Sequence, residues 1–400
     1  MVTYNEALQI IKKEFQNISL HSEEVDILDS TNRVLAEDVI ADIDLPPFNN
    51  SAVDGYAIKF SERKSWKIIG EISAGHYNPI NLKEEEAVLI TTGSKIPNYA
   101  DTIIPAEDVV VEAHYLKLMN NAFVKKGMNV RVKGNDLAKG RIALNKYSKV
   151  DSRAIAVLAS CGKEKVKVFS KLKAAILATG DELIPVTEIP AEDKIRASNS
   201  FALYSAIEEI NHTPLMIGFV KDDKEIIHQK IKAAFEMNID LLITTGGISI
   251  GKYDFMKEVF EEEEVKELFW KVNIKPGKPI YFGACEKDEK RILVFGLPGN
   301  PVSSLVDFYI FIKPAIEYLY HQKNLNIVYA VLMNEINKKD GNKHFSRGII
   351  FEENGEWRVK VKFSQSSGNL VEMSRANCLI MLNEEKKNPA KGEKVECILI

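Results

Sequence analysis

Between residues 170 and 320, short apolar runs alternate with amphipathic stretches. The runs at 174–178, 214–220, 240–244 and 292–295 read as buried strands. Helical spacing occupies 199–210, 223–237, 254–262 and 302–320. In the first of these, Phe201, Leu203, Ala206, Ile207 and Ile210 gather largely on one face after Asn199. Alternation of this kind predicts a doubly wound α/β domain with a mostly parallel sheet. After Tyr320 the pattern turns to β throughout. Segments 328–332, 348–352, 357–363, 378–382 and 394–400 predict a small barrel-like domain.

The N-terminal half has a different rhythm. Residues 1–18 place Ala7, Leu8, Ile10, Ile11 and Phe15 on one side of a helix, and 29–39 predicts another helix starting near Thr31 or Asn32. Pro46-Pro47 breaks the chain. From Tyr56 to Leu144, short strands alternate with turns (66–72, 87–91, 102–105 and 109–111 are candidates), which predicts a β-rich barrel or irregular sandwich. Residues 151–160 return to a capped, Ala-rich helix. The fold class is thus a multidomain α/β chain. Its expected parts are 1–45 with 140–168, a β-rich insert at 46–139, an α/β domain at 169–322 and a β-barrel at 323–400.

Composition narrows the function classes. A chain of 400 residues is too long for one ordinary domain. Its formal charge of −4 lacks a nucleic-acid signature. It has no apolar run of 18 residues, so no membrane span is expected, and its N-terminus lacks signal-peptide features. Cys161, Cys285, Cys378 and Cys397 are scattered without a Cys-x-x-Cys pair, which predicts reduced, mostly buried thiols in a cytoplasmic protein. The seven histidines show no zinc-ligand spacing.

The candidate chemistry lies where strands end. Phe295-Gly-Leu-Pro-Gly-Asn-Pro-Val-Ser-Ser304 reads as strand, tight turn and helix start, with Ser303 or Ser304 as a candidate cap. Ala174–Glu182 and Asp240–Asp254 are similar junctions with acids. In a parallel sheet these ends share one edge, where ligands bind. Taken alone, Thr179-Gly-Asp-Glu182 is a loop with helix-capping acids. Taken together, carboxylates beside Gly-rich anion sites suit a phosphate ligand bridged by Mg²⁺. Lys275-Pro-Gly-Lys-Pro279 reads as an anion clamp. A second polar cluster holds Asp54, Thr92, Arg131 and Asp136, and by itself reads as turn chemistry. Arg347 and Ser366-Ser-Gly-Asn369 read first as a surface charge and a turn.

Several motifs in this order resemble the molybdopterin molybdenumtransferase family, the molybdenum insertases to which the gephyrin E domain is related. They are Asn50-Ser-Ala-Val-Asp-Gly-Tyr-Ala57, Ile90-Thr-Thr-Gly93, Gly134-Asn-Asp136, Ala178-Thr-Gly-Asp-Glu-Leu183, Thr245-Gly-Gly-Ile-Ser-Ile-Gly251 with Asp254, Ile274-Lys-Pro-Gly-Lys-Pro279 and Gly296-Leu-Pro-Gly-Asn-Pro-Val-Ser303. The resemblance covers most of the chain. It implies that molybdate is inserted into adenylylated molybdopterin with Mg²⁺-dependent release of AMP. By the same resemblance Asp54, Thr92, Asp136, Glu182, Asp222 and Asp254 are the catalytic positions, with Glu182 and Asp254 at the metal. Substrate and anion binding falls to Arg131, Thr179, Gly180, Asp181, Gly246, Gly247, Ser249, Lys275, Lys278, Pro298, Gly299, Asn300, Pro301, Ser303, Arg347 and Ser367.

The resemblance further implies a central molybdopterin-binding α/β domain and an elongated homodimer whose partner chain completes the cleft. Its partners would be the pterin, molybdate, the adenylyltransferase and acceptor molybdoenzymes, with no nucleic acid or membrane. Two positions depart from the pattern. Lys252 stands where relatives often carry an acid. Lys133 stands where a proline is frequent, which should loosen the turn at Gly134. The alternatives are a molybdopterin adenylyltransferase, against which the β-rich N-terminal half and the C-terminal β domain argue, and a non-catalytic gephyrin-like scaffold.

Overall fold

The computed structural model describes residues 1–76, 78–248, 255–322, 325–361, 364–386 and 388–400. The chain divides into two compact units, 1–23 with 169–400, and 24–168.

The larger unit is organised by a six-stranded sheet. Its order is Thr213–Val220, Lys173–Thr179, Leu241–Thr245, Lys290–Leu297, Tyr281–Lys287 and Lys266–Trp270. The first four strands are parallel, as the apolar runs predict, and the last two are antiparallel. Ala174–Leu177, Leu241–Ile243 and Leu293–Phe295 have no accessible surface. This is the expected state of parallel strands covered on both faces, and it explains why their sequences are continuous apolar runs. Chain direction across the sheet reverses between Lys173–Thr179 and Leu241–Thr245. That switch point opens a crevice at the strands' C-terminal ends.

The first helix, Tyr4–Phe15, belongs to this unit. Thr3 and Glu6 form a reciprocal capping box, and Tyr4, Ala7, Ile11 and Phe15 are buried. Tyr4 packs on Phe311 and Phe345, and Phe15 on Phe295. The expected helix over 302–320 is interrupted. It runs as Pro301–Asp307 and Lys313–Leu319 around a π-helical turn at Phe308–Ile312.

The C-terminal strands close a barrel. Lys343–Glu353, Glu356–Lys360, Ile327–Leu332, Lys394–Leu399 and Cys378–Leu382 follow one another, and the last pairs back on the first. The core of the barrel is Leu332, Val359, Cys378, Ile380 and Cys397 with their neighbours. One short strand from the α/β region, Ile274–Lys275, adds to its edge parallel to Lys343–His344.

The unit 24–168 carries a six-stranded sheet of its own, ordered Thr102–Pro105, Gly55–Ile58, Glu86–Ile90, Ser65–Ile72, Tyr115–Leu118 and Val109–Glu112. Successive residues serve opposite faces. Ala57, Val88 and Ile103 join one core, and Ile58, Ala87 and Ile104 join another with Trp66. Asp151 caps the helix Ser152–Ser160 through the backbone of Arg153 and Ala154. The helix expected over 29–39 does not form. A short 3-10 turn covers Ile27–Ser30, the Ser30 hydroxyl donates to the Ile27 carbonyl, and Asn32 adopts a φ of 62°. These side-chain and left-handed alternatives compete with helix propagation. All four cysteines are free and buried. No helix among the described residues is long and apolar enough to cross a membrane.

Leu177 lies at the centre of the buried sheet. Leu177→Ala is expected to destabilise its unit by about 2–5 kcal/mol, read as a lowered midpoint in chemical denaturation.

Candidate functional site

The loops after the central strands converge at the switch point. Thr179 ends its strand, and the Gly180 amide donates to the Val220 carbonyl. The following residues are held by a two-strand ladder between Leu183–Ile184 and Ile195–Arg196. Lys194 Nζ donates to the Asp181 carbonyl at 3.0 Å, and the Ile195 amide to the Glu182 carbonyl at 2.8 Å. A Cβ on Gly180 would lie 2.6 Å from Glu182 Oε2, so the carboxylate folds back over the glycine.

Gly246 makes the tightest approach among the glycines of this edge. It has a φ of 88°, and a Cβ there would lie 2.3 Å from the Thr179 carbonyl oxygen. Gly299 comes within 3.7 Å of the Gly246 Cα, measured from its own ideal Cβ position. The glycine loops thus form one edge, as expected. Asn199, not singled out by sequence, ties in a further element by donating Nδ2–H to the Gly299 carbonyl at 2.7 Å.

Three acids surround this edge. The Asp222 amide donates to Asp181 Oδ1 at 3.3 Å. Burial holds the Asp222 carboxyl above the usual range, and the charges of Asp181 and Glu182 add to that effect. Asp222 Oδ1 and Thr179 Oγ1 are buried without a hydrogen-bond partner. An orphaned buried carboxylate oxygen among other carboxylates fits a divalent cation. Among the described residues, however, no three His, Cys, Asp or Glu side chains gather tightly enough to hold a metal by themselves. Ser249, Lys252 and Asp254 lie outside the described residues.

The turn Pro298-Gly-Asn-Pro301 leads into the helix Pro301–Asp307. Here the sequence-based expectation needs correction. Asn300 occupies the N-cap position and Pro301 the first turn, while the Ser304 hydroxyl donates backwards to Pro301 O at 3.1 Å. Proline at the first helical position is pre-set in φ and has no amide to satisfy, which leaves the serines free of capping. Ser303 instead lines a cavity of about 470 Å³.

That cavity also takes in Lys275, Lys278, Ser367, Asn342, His344 and Gln365. Lys275 Nζ lies 3.0 Å from Asp340 Oδ2, and His344 Nε2 lies 2.6 Å from Asp340 Oδ1. Burial alone would raise the Asp340 carboxyl, but hydrogen bonds from Lys275, His344 and the Asn342 amide hold it well below the usual carboxylate range. Asp340 and His344 escaped the sequence analysis because Asp340-Gly-Asn reads as an ordinary turn. Only the strand register, with Lys275 opposite His344, brings them together.

Arg347 is not a surface charge. It is 1% exposed, and its guanidinium donates to the carbonyls of Ser364, Ser366 and Asn369. It thereby shapes the loop carrying Ser367, whose carbonyl accepts from the Val302 amide at 3.1 Å. The helix that follows the strand-edge turn is therefore tied to one wall of the cavity.

Beneath the Lys275-Pro-Gly-Lys278 loop lies Asp307, fully buried, with neither carboxylate oxygen hydrogen-bonded among the described residues. A Cβ on Gly277, whose φ is 94°, would fall 1.9 Å from Asp307 Oδ1. Burial pushes this carboxyl well above its ordinary range and so favours the neutral acid in the folded protein. The signal in the sequence was a lone acid inside the apolar stretch 302–312.

In the unit 24–168, the Thr92 amide and hydroxyl both donate to Asp54 Oδ1, at 2.7 and 2.8 Å, and these bonds lower the Asp54 carboxyl. The Asp136 amide donates to the Leu45 carbonyl. Arg131 pairs in register with Asn50. Asp54, Thr92, Arg131 and Asp136 are all exposed. The turn at Gly134 is not loosened by Lys133. The Lys133 amide donates to Asn49 Oδ1 at 2.8 Å, a bond proline cannot make, and its ammonium lies 3.4 Å from Asp44.

An α/β crevice with acids and glycine loops at the strand ends, and a lysine- and serine-lined cavity at a β-barrel edge, are the features of a multidomain α/β protein with its ligand cleft at the switch point of the sheet. Comparison with known proteins gives the family. Residues 2–162 match the model of the MoeA N-terminal region (domain I and II), 175–318 that of a probable molybdopterin binding domain, and 329–400 that of the MoeA C-terminal region (domain IV). A molybdopterin molybdenumtransferase of Haemophilus influenzae is 33% identical over 94% of this chain and 93% of its own. One from Staphylococcus aureus is 31% identical over 100% and 95%. The crystal structure of a molybdopterin biosynthesis MoeA protein from Pyrococcus horikoshii OT3 superposes over the full length of both chains with a TM-score of 0.83 and 30% identity. The chain belongs to the molybdopterin molybdenumtransferase (MoeA) family of transferases in molybdenum cofactor biosynthesis.

The neutral Asp307 has a pH signature. Its folded-state pKa lies above the unfolded one, so the unfolded chain binds fewer protons and stability falls as pH rises from the ordinary carboxylate range. Asp307→Asn is expected to remove that slope. Thermal unfolding between about pH 4 and about pH 8 should show the variant gaining on the wild type as pH rises.

Proposed function

We propose that this protein inserts molybdate into adenylylated molybdopterin and releases AMP, forming the molybdenum cofactor. The observation that supports this reading is that one helix, Pro301–Asp307, follows the Gly299 turn of the crevice and brings Ser303 into the lysine-lined cavity, where the Val302–Ser367 hydrogen bond ties it. A pyrophosphate at the crevice and an oxyanion in the cavity would lie on adjoining stretches of the same surface.

Each group has a task in that reaction. The loops at Gly180, Gly246, Gly247 and Gly299 let backbone approach the pyrophosphate without a Cβ in the way. Lys275 and Lys278, with hydroxyls of Ser303 and Ser367, supply donors to molybdate. Arg347 orders the Ser367 loop. Glu182 and Asp222, with Asp181 beside them and Asp254 by sequence, would hold Mg²⁺. Bound there, the ion would neutralise charge on the phosphoryl oxygens. We also propose that the chain works as a cytoplasmic homodimer. In it Asp54, Thr92 and Asp136 of one subunit would complete the cleft of the other, a task that would explain an exposed, pinned carboxylate with no chemistry of its own.

AMP release from adenylylated molybdopterin, followed with and without molybdate, tests the reaction. Glu182→Ala is expected to lower it by about 100-fold or more, the worth of several kcal/mol of charge stabilisation. Melting should barely move, because the residue is an exposed loop acid. Unchanged turnover and unchanged Mg²⁺ dependence would remove Glu182 from the site.

The dimer has its own test. Asp54→Ala and Glu182→Ala homodimers should each be nearly inactive. After proven subunit exchange, the mixed dimer should regain one intact cleft and about half of the activity per dimer. No recovery would mean that both residues serve the same subunit.

A further inference from the structure

Lys275 is already engaged before any anion arrives. Its ammonium sits on Asp340 Oδ2, while the other oxygen of that carboxylate is bonded by His344 and the Asn342 amide. A carboxylate can only accept, so the hydrogen between Asp340 and His344 lies on His344 Nε2. Nδ1 is then the position at which the ring takes up a further proton. The His344 side chain is 10% exposed. Burial, the largest influence, pushes the imidazole below its ordinary range. Asp340 works against that effect, and the cations Lys275 and Lys338 work with it. The cavity wall facing it adds Lys278 and the neutral Asn337, Asn342 and Gln365.

In this arrangement the charges of Lys275 and Asp340 cancel and His344 is neutral. A dianion entering the cavity brings two negative charges next to Asp340. It must share or take the Lys275 ammonium, and it leaves the Asp340 carboxylate facing an anion. Lys278 and Lys338 offset part of that charge, and the His344 ring is the neutral group beside Asp340 that can add to it by gaining a proton from solvent.

We propose that Asp340 is a resident counter-ion that the anion displaces from Lys275, and that capture of a tetrahedral oxyanion dianion in the cavity is coupled to uptake of a proton by His344, the other partner of Asp340. This inference rests on the reading of the cavity as the oxyanion site. By linkage, the anion raises the proton affinity of His344 and the proton raises the affinity for the anion by the same factor. Binding therefore weakens as pH rises through the range in which the anion-bound His344 loses its proton.

The experiment is calorimetry of molybdate binding to the full-length protein at one pH, in two buffers of different ionisation enthalpy. The wild type should take up a measurable fraction of a proton, up to one per molybdate bound. His344→Gln should bind with the wild type's high-pH affinity and take up none, which also subtracts any protonation of molybdate itself. Asp340→Asn removes the charge that opposes the dianion and should tighten binding about 2- to 5-fold, the range of one partly exposed ion pair. Weaker binding by a folded Asp340→Asn protein overturns the proposal. So does proton uptake that persists in His344→Gln. A wild type that binds molybdate without taking up a proton overturns the coupling and leaves the oxyanion reading standing. No molybdate binding by the wild type overturns both.

Discussion

The backbone of Gly246 runs so close to Thr179 that no side chain fits between them. That approach sets the spacing of the whole crevice. It exists because the two parallel strands on either side of the sheet's switch point are neighbours, paired from Ala174 with Leu241 to Ala178 with Thr245. Their loops must part there, and only glycine lets them part at van der Waals distance. The turn at Gly299 packs on Gly246 in turn, and the helix carrying Ser303 follows from it. A glycine-lined edge is thus the consequence of buried strands whose loops approach one another too closely for side chains.

The lysine loop depends on a different balance. Lys275 is held through its own strand ladder to the barrel and by an ion pair with Asp340. An ion pair this exposed contributes only about 0.2–1 kcal/mol, too little to hold a loop. The ladder and the packing of Gly277 over Asp307 decide where the loop runs. A neutral buried acid beneath the loop, rather than a charged one, is the form that such burial selects. This leaves the ion pair free to serve exchange instead of stability, which is the property that the proposed capture of an anion by Lys275 needs.

What the sequence determined by itself was the set of elements whose signal is local. Continuous apolar runs marked the four parallel strands, because a strand buried on both faces has no polar positions. Asp151 marked a helix start, because the cap is a bond to the next residues. The glycines at 180, 246 and 299 marked the edge at the strand ends, where the approach of Gly246 to the Thr179 backbone forbids a Cβ. Long-range pairing decided the rest. The expected surface charge at Arg347 became the buried organiser of a loop because three carbonyls 17 to 22 positions along the chain turn toward it. The expected helix over 29–39 lost to side-chain and bridge contacts with residues more than a hundred positions away, such as Val34 with Lys149 and Leu35 with Val168. Asp340 and His344 joined the lysine cavity only through a strand register between residues some seventy positions apart. No local pattern encodes such a pairing, because its energy comes from hydrogen bonds and burial that exist only once the barrel has closed.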